Sequence, residues 1–98
     1  MANEQRVFTV DSKLDPLGYQ QITALSSAVG LSPPTKARIA LIQASTQGVR
    51  WRDDGTAPTG TIGMPLGAGN DFVYTGNLAA IQFIEVAPSA QLNVSYYY

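Results

Sequence analysis

Apolar and polar residues alternate in short runs along this chain, and clusters of turn-forming residues separate the runs. These clusters are LDPLG (14–18), GLSPP (30–34), DDGTAPTG (53–60), PLGAGND (65–71), TGN (75–77) and APSA (87–90). The residues between them are mainly β-branched or aromatic, which with this spacing is typical of an all-β protein, a small antiparallel β-sandwich or barrel. A helical interpretation fits poorly because most runs meet Gly or Pro before two helical turns are complete.

The pattern predicts about six to eight short strands. The candidate runs are RVFTV (6–10), YQQITALS (19–26), KARIALIQAS (36–45), GVRWRD (48–53), GTIGMPL (60–66), DFVYT (71–75), LAAIQFIEVA (78–87) and QLNVSYYY (91–98). Residues 36–45 carry apolar side chains on both faces, so we expect this strand to be central in its sheet. Residues 19–29 leave a helix open as the alternative, and Val29-Gly30 would end that helix.

The alternation also predicts which side chains share a face of a strand. Val49 and Trp51 should point into the core, while Arg50 and Arg52 point to solvent. Further sets that should each share a face are Ile62 with Met64 and Leu66, Phe72 with Tyr74, Ile81 with Phe83, Ile84 with Val86, and Leu92 with Val94 and Tyr96.

The chain length of 98 residues predicts a single domain over residues 1–98. We expect residues 36–98 to form the sandwich core. Residues 1–20 are polar, weakly patterned and interrupted at Asp15-Pro16, so we expect an extended N-terminal arm. Such arms pack on a neighbouring subunit or are disordered.

The charge content excludes several classes of partner. Only 13% of the residues are charged and the net charge is −1, whereas soluble domains carry about 25% charged residues. The six basic residues form no concentrated stripe, so we expect no nucleic-acid binding. No apolar run is long enough for a membrane span and no polybasic anchor is present, so we expect no membrane contact. A sparsely charged surface suits a protein that is covered by its neighbours.

The stretch VRWRDDGTAPTGTIGMPL (49–66) is the main candidate for a ligand site. Its favoured interpretation is structural, with Trp51 in the core, solvated arginines, and Asp53-Asp54-Gly55 forming a turn. The alternative is a sugar-binding site in which Trp51 stacks on the ring and Asp53 or Asp54 accepts hydrogen bonds. Calcium is disfavoured because Asp53, Asp54 and Thr56 supply too few oxygen ligands.

The remaining residues give no indication of an enzyme. The chain contains no His and no Cys, which removes the commonest base, nucleophile and metal ligands. Asp53 and Asp54 are adjacent and would point to opposite faces of a strand, so they cannot form a catalytic pair. GMPLGAGN (63–70) opens no helix and therefore does not match a phosphate-binding loop. We expect no enzyme activity, no catalytic residue, no metal and no cofactor.

The chain ends on SYYY, and terminal residues usually fray unless a sheet or an interface holds them. Tyrosine suits interfaces at which one end of the side chain stays wet, although intramolecular packing remains equally open. The predicted interface residues are Val7 and Phe8 in the arm, Arg50 and Arg52 as rim contacts, and Tyr96, Tyr97 and Tyr98 on the last strand.

Residues 37–98 resemble small virion structural proteins of tailed bacteriophages. The segments that carry the resemblance are ALIQA, VRWRDDGTAPT, GMPL, YTGNLAAIQFIE and LNVSYYY, of which VRWRDDGTAPT is the most specific. The resemblance implies a protein of the virion, made in the bacterial host cytoplasm, that decorates or cements the capsid. Its implied partner is the major capsid protein or another virion protein, and it is expected to be a homo-oligomer, with a trimer favoured. The alternative is a small carbohydrate- or receptor-binding β module of a phage adhesin.

Overall fold

Eight strands form two four-stranded antiparallel sheets in the computed structural model, which describes residues 14–98. The strands are β1 (Pro16–Ile22), β2 (Val29–Gly30), β3 (Ile39–Ser45), β4 (Val49–Arg52), β5 (Met64–Leu66), β6 (Asp71–Tyr74), β7 (Gln82–Glu85) and β8 (Gln91–Tyr97). Sheet 1 has the order β1-β8-β3-β6, and sheet 2 has the order β2-β7-β4-β5. The predicted small all-β sandwich is confirmed, and no residue from 14 to 98 is helical. The described residues accordingly include no helix that could cross a membrane.

The core lies between the two sheets and is built by the alternation that the sequence predicts. In sheet 1, the central strands β3 and β8 bury every second residue; these residues are Ala40, Ile42, Ala44, Leu92, Val94 and Tyr96. Sheet 2 contributes Val49 and Phe83, and Leu25 reaches the core from the segment after β1. Because each fully buried Leu, Ile or Phe stabilises a fold by about 1.5–3 kcal/mol, these inward rows hold the sheets together. The central position predicted for residues 36–45 is confirmed for β3.

The N-terminal boundary of the sandwich lies earlier than the sequence predicted. Residues 16–20, which were expected in the arm, form most of β1 and pair with β8. Asp15 and Tyr98 exchange two backbone hydrogen bonds of 3.0 Å, and these clamp the start of β1 to the end of the chain. Pro16 is tolerated there because it begins an edge strand. The helix considered over residues 19–29 is not present, and Val29–Gly30 forms β2 instead.

The remaining part of the predicted arm, including Val7, Phe8 and the candidate strand at residues 6–10, lies outside the described residues.

Two other predicted strands are shorter than expected because hydrogen-bonded turns replace part of each. Thr59 and Ile62 exchange backbone hydrogen bonds, so Ile62 leaves the extended conformation and β5 begins only at Met64. Ile62 is therefore exposed, and Met64 at the start of the edge strand β5 is exposed as well, so of the three residues predicted to share a face only Leu66 is buried. The backbone N–H of Ala80 likewise bonds the carbonyl of Asn77, so β7 covers residues 82–85 rather than 78–87.

Candidate functional site

Trp51 connects the two sheets through an aromatic cluster. Its indole lies nearly parallel to the ring of Phe72, with a centroid distance of 5.3 Å and an interplanar angle of 13°. The edge contact with Tyr74 has a centroid distance of 6.1 Å. Phe72 and Tyr74 belong to β6 of sheet 1, so the cluster packs one sheet against the other. The inward orientation predicted for Trp51 is confirmed, although the side chain is only partly buried.

The exposed part of Trp51 borders a shallow cleft of about 400 Å³. The other walls are the Asp53-Asp54 loop and the side chains of Ile62 and Met64, which are 57% and 56% exposed. The cleft therefore combines one aromatic surface with two exposed aliphatic side chains and a charged rim.

The charged groups at the rim are already bound to partners within the chain. Arg52 donates two hydrogen bonds to Asp54, with distances of 3.0 Å from Nε and 2.6 Å from Nη2. These bonds lower the pKa of Asp54 and raise the pKa of Arg52. Asp54 also accepts the backbone N–H of Thr56, and Gly55 has a φ of +87°, so the predicted Asp-Asp-Gly turn is present.

Asp53 and Arg50 hold other parts of the same region in place. The hydroxyl of Tyr74 donates a 2.7 Å hydrogen bond to Asp53 Oδ2, and burial together with this bond raises the pKa of Tyr74 to about 12. Arg50 donates hydrogen bonds to the carbonyls of Gly60 and Gly63 and so fixes the turn before β5. Both arginines that the sequence predicted as rim contacts, Arg50 and Arg52, are therefore engaged within the chain.

The three C-terminal tyrosines predicted at an interface have different positions. Tyr96 is only 1% exposed and its hydroxyl donates a 2.6 Å hydrogen bond to Gln20 Oε1. Burial raises the pKa of Tyr96 to about 12. Tyr96 is thus a core residue and cannot contact a partner, which corrects that prediction. Tyr97 points to the opposite side of β8 and is half-buried, while Tyr98 is 46% exposed.

Sheet 1 presents a largely uncharged surface on the side that faces away from the core. We call this surface the outer face. Residues that are paired across the four strands form rows on it, and two of these rows are Tyr19–Ser95–Leu41–Val73 and Gln21–Asn93–Gln43–Asp71. The pair Tyr97–Ile39 lies beside the first row. Its apolar and aromatic side chains are Tyr19, Ile39, Leu41, Val73 and Tyr97. Asp71 is the one acidic residue in these rows, and none of their members is basic.

A hydrogen-bond network orders the polar part of the outer face. Asn93 Oδ1 accepts bonds from the Tyr19 hydroxyl at 2.7 Å and from Gln21 Nε2 at 3.0 Å. Asn93 Nδ2 donates to Gln43 Oε1 at 3.3 Å and to Ser45 Oγ at 3.4 Å. The network links β1, β8 and β3 and fixes Tyr19 although this side chain is 65% exposed.

Sequence reasoning missed Tyr19, Ile39, Leu41 and Val73 as candidate contact residues. The signal was present in residues 36–45, whose two apolar faces were interpreted only as evidence for a central strand. A central strand of a two-sheet sandwich needs one apolar face, since its other face meets solvent. The second apolar face of β3 was therefore the unused signal.

No metal-binding cluster is present within residues 14–98, in which no three Asp or Glu side chains converge. In comparisons with known proteins, no family model, no curated protein and no solved structure matches this chain.

Proposed function

We propose that this protein is a non-enzymatic structural component of a bacteriophage virion. In this proposal it decorates or cements the capsid by binding the major capsid protein or another virion protein, and it acts as a homo-oligomer. The observation that carries the proposal is the outer face of sheet 1, where the exposed Tyr19 and partly exposed aliphatic side chains lie beside neutral amides. The resemblance of residues 37–98 to small tailed-phage virion proteins supplies the identity of the partner.

The chemistry of the outer face favours a protein partner. Burial of Leu41, Ile39 and Val73 contributes about 25 cal/mol for each Å² of apolar surface removed from water. Little of this gain is lost to the desolvation of charges, because Asp71 is the one acidic residue of the two outer-face rows and no member is basic. The bond between Tyr19 and Asn93 orders an exposed aromatic side chain in advance, which reduces the entropy lost on binding.

A trimer is the oligomer that analogy with decoration proteins of small sandwich fold favours.

A carbohydrate- or receptor-binding module is the second candidate, and the partly exposed Trp51 beside its cleft favours it. A sugar would stack on the indole and donate hydrogen bonds to the carboxylates at the rim. However, Phe72 occupies one face of the indole, and Asp53 and Asp54 already accept hydrogen bonds within the chain. A sugar would have to compete with these bonds, so the outer face supports the first candidate better.

The two candidates can be separated with particles of the encoding phage assembled without this protein. Purified wild type, Leu41→Lys and the control Gln47→Lys are each added to the particles, and the bound fraction is measured after sedimentation. Gln47 is an exposed residue in the turn between β3 and β4, so its substitution adds the same charge away from the outer face.

We expect Leu41→Lys to lose binding and Gln47→Lys to bind like the wild type. Full occupancy with Leu41→Lys would overturn the proposed contact surface. Ile62→Ser, which alters the Trp51 cleft at an exposed position, should leave particle binding unchanged. Loss of glycan binding by this variant on a glycan array would support the second candidate instead.

A further inference from the structure

β1 presents a long unpaired edge of sheet 1. It has seven residues and pairs with β8 on one side, and no other strand in residues 14–98 pairs with its second side. The other edge strands are shorter: β6 has four residues, β5 has three with Pro65 at its centre, and β2 has two. The register of β1 is irregular only between Pro16 and Gly18, so residues 18–22 form a regular stretch.

Residues 18–22 of the β1 edge lack the usual protection against strand addition, since Pro16 and the irregular register beside it lie at the start of the strand. Folded proteins commonly protect such an edge with Lys or another charge, with Pro, or with a bulge. Residues 16–35, which include β1, β2 and their connection, contain no Asp, Glu, Lys or Arg. The segment after β2 lies beside β1, since the N–H of Ser32 donates to Gln20 Oε1. Strand β1 and the segment beside it therefore carry no charged side chain.

We propose that β1 pairs antiparallel with β1 of a second copy, so that two copies of sheet 1 join into one eight-stranded sheet across a two-fold axis. Antiparallel pairing of a strand with its own copy satisfies two-fold symmetry, because both partners present the same residues in opposite directions. No like charges meet across this contact.

If the two strands pair in a register centred on Gln20, all of residues 18–22 are paired. Tyr19 of each copy then lies opposite Gln21 of the other. These two residues already share Asn93 as acceptor, so the polar network of the outer face would continue across the junction.

The second copy suits this edge better than the N-terminal residues of the same chain do. Residues 1–13 contain Glu4, Arg6, Asp11 and Lys13, which are four of the 13 charged residues of the chain, whereas β1 contains none. The inference goes beyond the proposed function and does not depend on it. It predicts a two-fold dimer in place of the trimer favoured by analogy, with both outer faces on the same side of the joined sheet.

The test is sedimentation velocity of the full chain over a concentration range that reaches roughly 100 µM, a typical range for a weak complex. We expect a dimer of the 10.4 kDa chain. Gln21→Lys, which places a charge at the edge, should weaken the dimer on the order of tenfold or more, which corresponds to about 1.4 kcal/mol. Gln47→Lys carries the same added charge in a loop and should leave the dimer unchanged, and circular dichroism verifies that each variant is folded.

Cross-linking tests the register, because the chain contains no cysteine. Under mild oxidation, a mixture of Tyr19→Cys and Gln21→Cys should form a disulfide-linked heterodimer in higher yield than either variant alone. A cross-link formed equally at positions remote from β1 would overturn the register.

Three results would overturn the inference as a whole. The first is a wild type that stays monomeric. The second is a dimer that resists Gln21→Lys but is broken by Leu41→Lys, which would place the contact on the outer face. The third is dimerisation only after removal of residues 1–13, which would show that these residues occupy the edge of β1 in the full chain. Leu41→Lys should leave the dimer intact but abolish particle binding. A failure of the dimer inference can therefore be distinguished from a failure of the proposed function.

Discussion

Replacement of Trp51 by alanine tests whether this residue serves mainly to stabilise the fold. A large aromatic side chain buries about 150–250 Å², and most of the Trp51 side chain is covered by Phe72, Tyr74 and the core. Loss of roughly 120 Å² relative to alanine costs about 3 kcal/mol at 25 cal/mol per Å². The two lost ring contacts cost about 0.5–1.5 kcal/mol each. The open cleft reduces the total because water can fill the space, so we expect a loss of about 3 kcal/mol.

The assay is urea denaturation monitored by far-UV circular dichroism, because the variant lacks the single tryptophan and so gives no tryptophan fluorescence. For a chain of this size the expected loss lowers the urea midpoint by about 2 M. Trp51→Phe retains an aromatic ring against Phe72 and should lose about half as much. Ile62→Ala alters the same cleft at a position that is 57% exposed and should change stability by less than about 0.5 kcal/mol. A loss below about 1 kcal/mol for Trp51→Ala would refute the structural role and indicate an indole kept for a ligand.

Two further predictions concern buried tyrosines. The pKa of Tyr96 is raised by burial to about 12, whereas an unfolded tyrosine titrates near 10. The neutral phenol is therefore favoured by folding, so its contribution to stability is complete below pH 10 and is lost between pH 10 and 12. Urea midpoints measured across this range should fall more steeply for the wild type than for Tyr96→Phe, and equal slopes would contradict the assignment. Gly76→Ala places a Cβ about 2.6 Å from Cζ of Tyr74, so Tyr74 must move and strain its bond to Asp53. A loss of about 1–3 kcal/mol in thermal unfolding is expected, and an unchanged melting temperature would contradict the packing of Tyr74.

The strict alternation of inward and outward residues was sufficient to predict which side chains of a strand face the core. The inward row of β8, which contains Leu92, Val94 and Tyr96, follows directly from its two-residue period. The same period could not show that Tyr96 is covered completely. The Tyr96 hydroxyl bonds Gln20, which is 76 positions away in the sequence and meets Tyr96 only once β1 and β8 have paired.

Turn geometry was the second point at which local pattern was insufficient. Ile62 fits a buried strand by its spacing from Met64 and Leu66, yet backbone hydrogen bonds between Thr59 and Ile62 take it out of the strand. Arg50 anchors the same turn through two backbone carbonyls, and nothing in the spacing of the residues indicates which carbonyls an arginine will reach. The exposure of Ile62 is thus a consequence of a turn rather than of strand alternation.

The two faces of β3 give the strongest reason to expect a partner on the outer face. Its inward positions include the small residues Ala40 and Ala44, while the large aliphatic residues Ile39 and Leu41 point outward. Stability alone favours the opposite arrangement, because an aliphatic side chain contributes most when it is fully buried. Apolar surface that stays partly exposed instead promotes association. Because Leu41 is only partly buried, we expect Leu41→Ser to cost less stability than a core substitution does but to weaken binding to the particle. A large loss of stability with unchanged binding would show that Leu41 serves the fold and that the outer face has no partner.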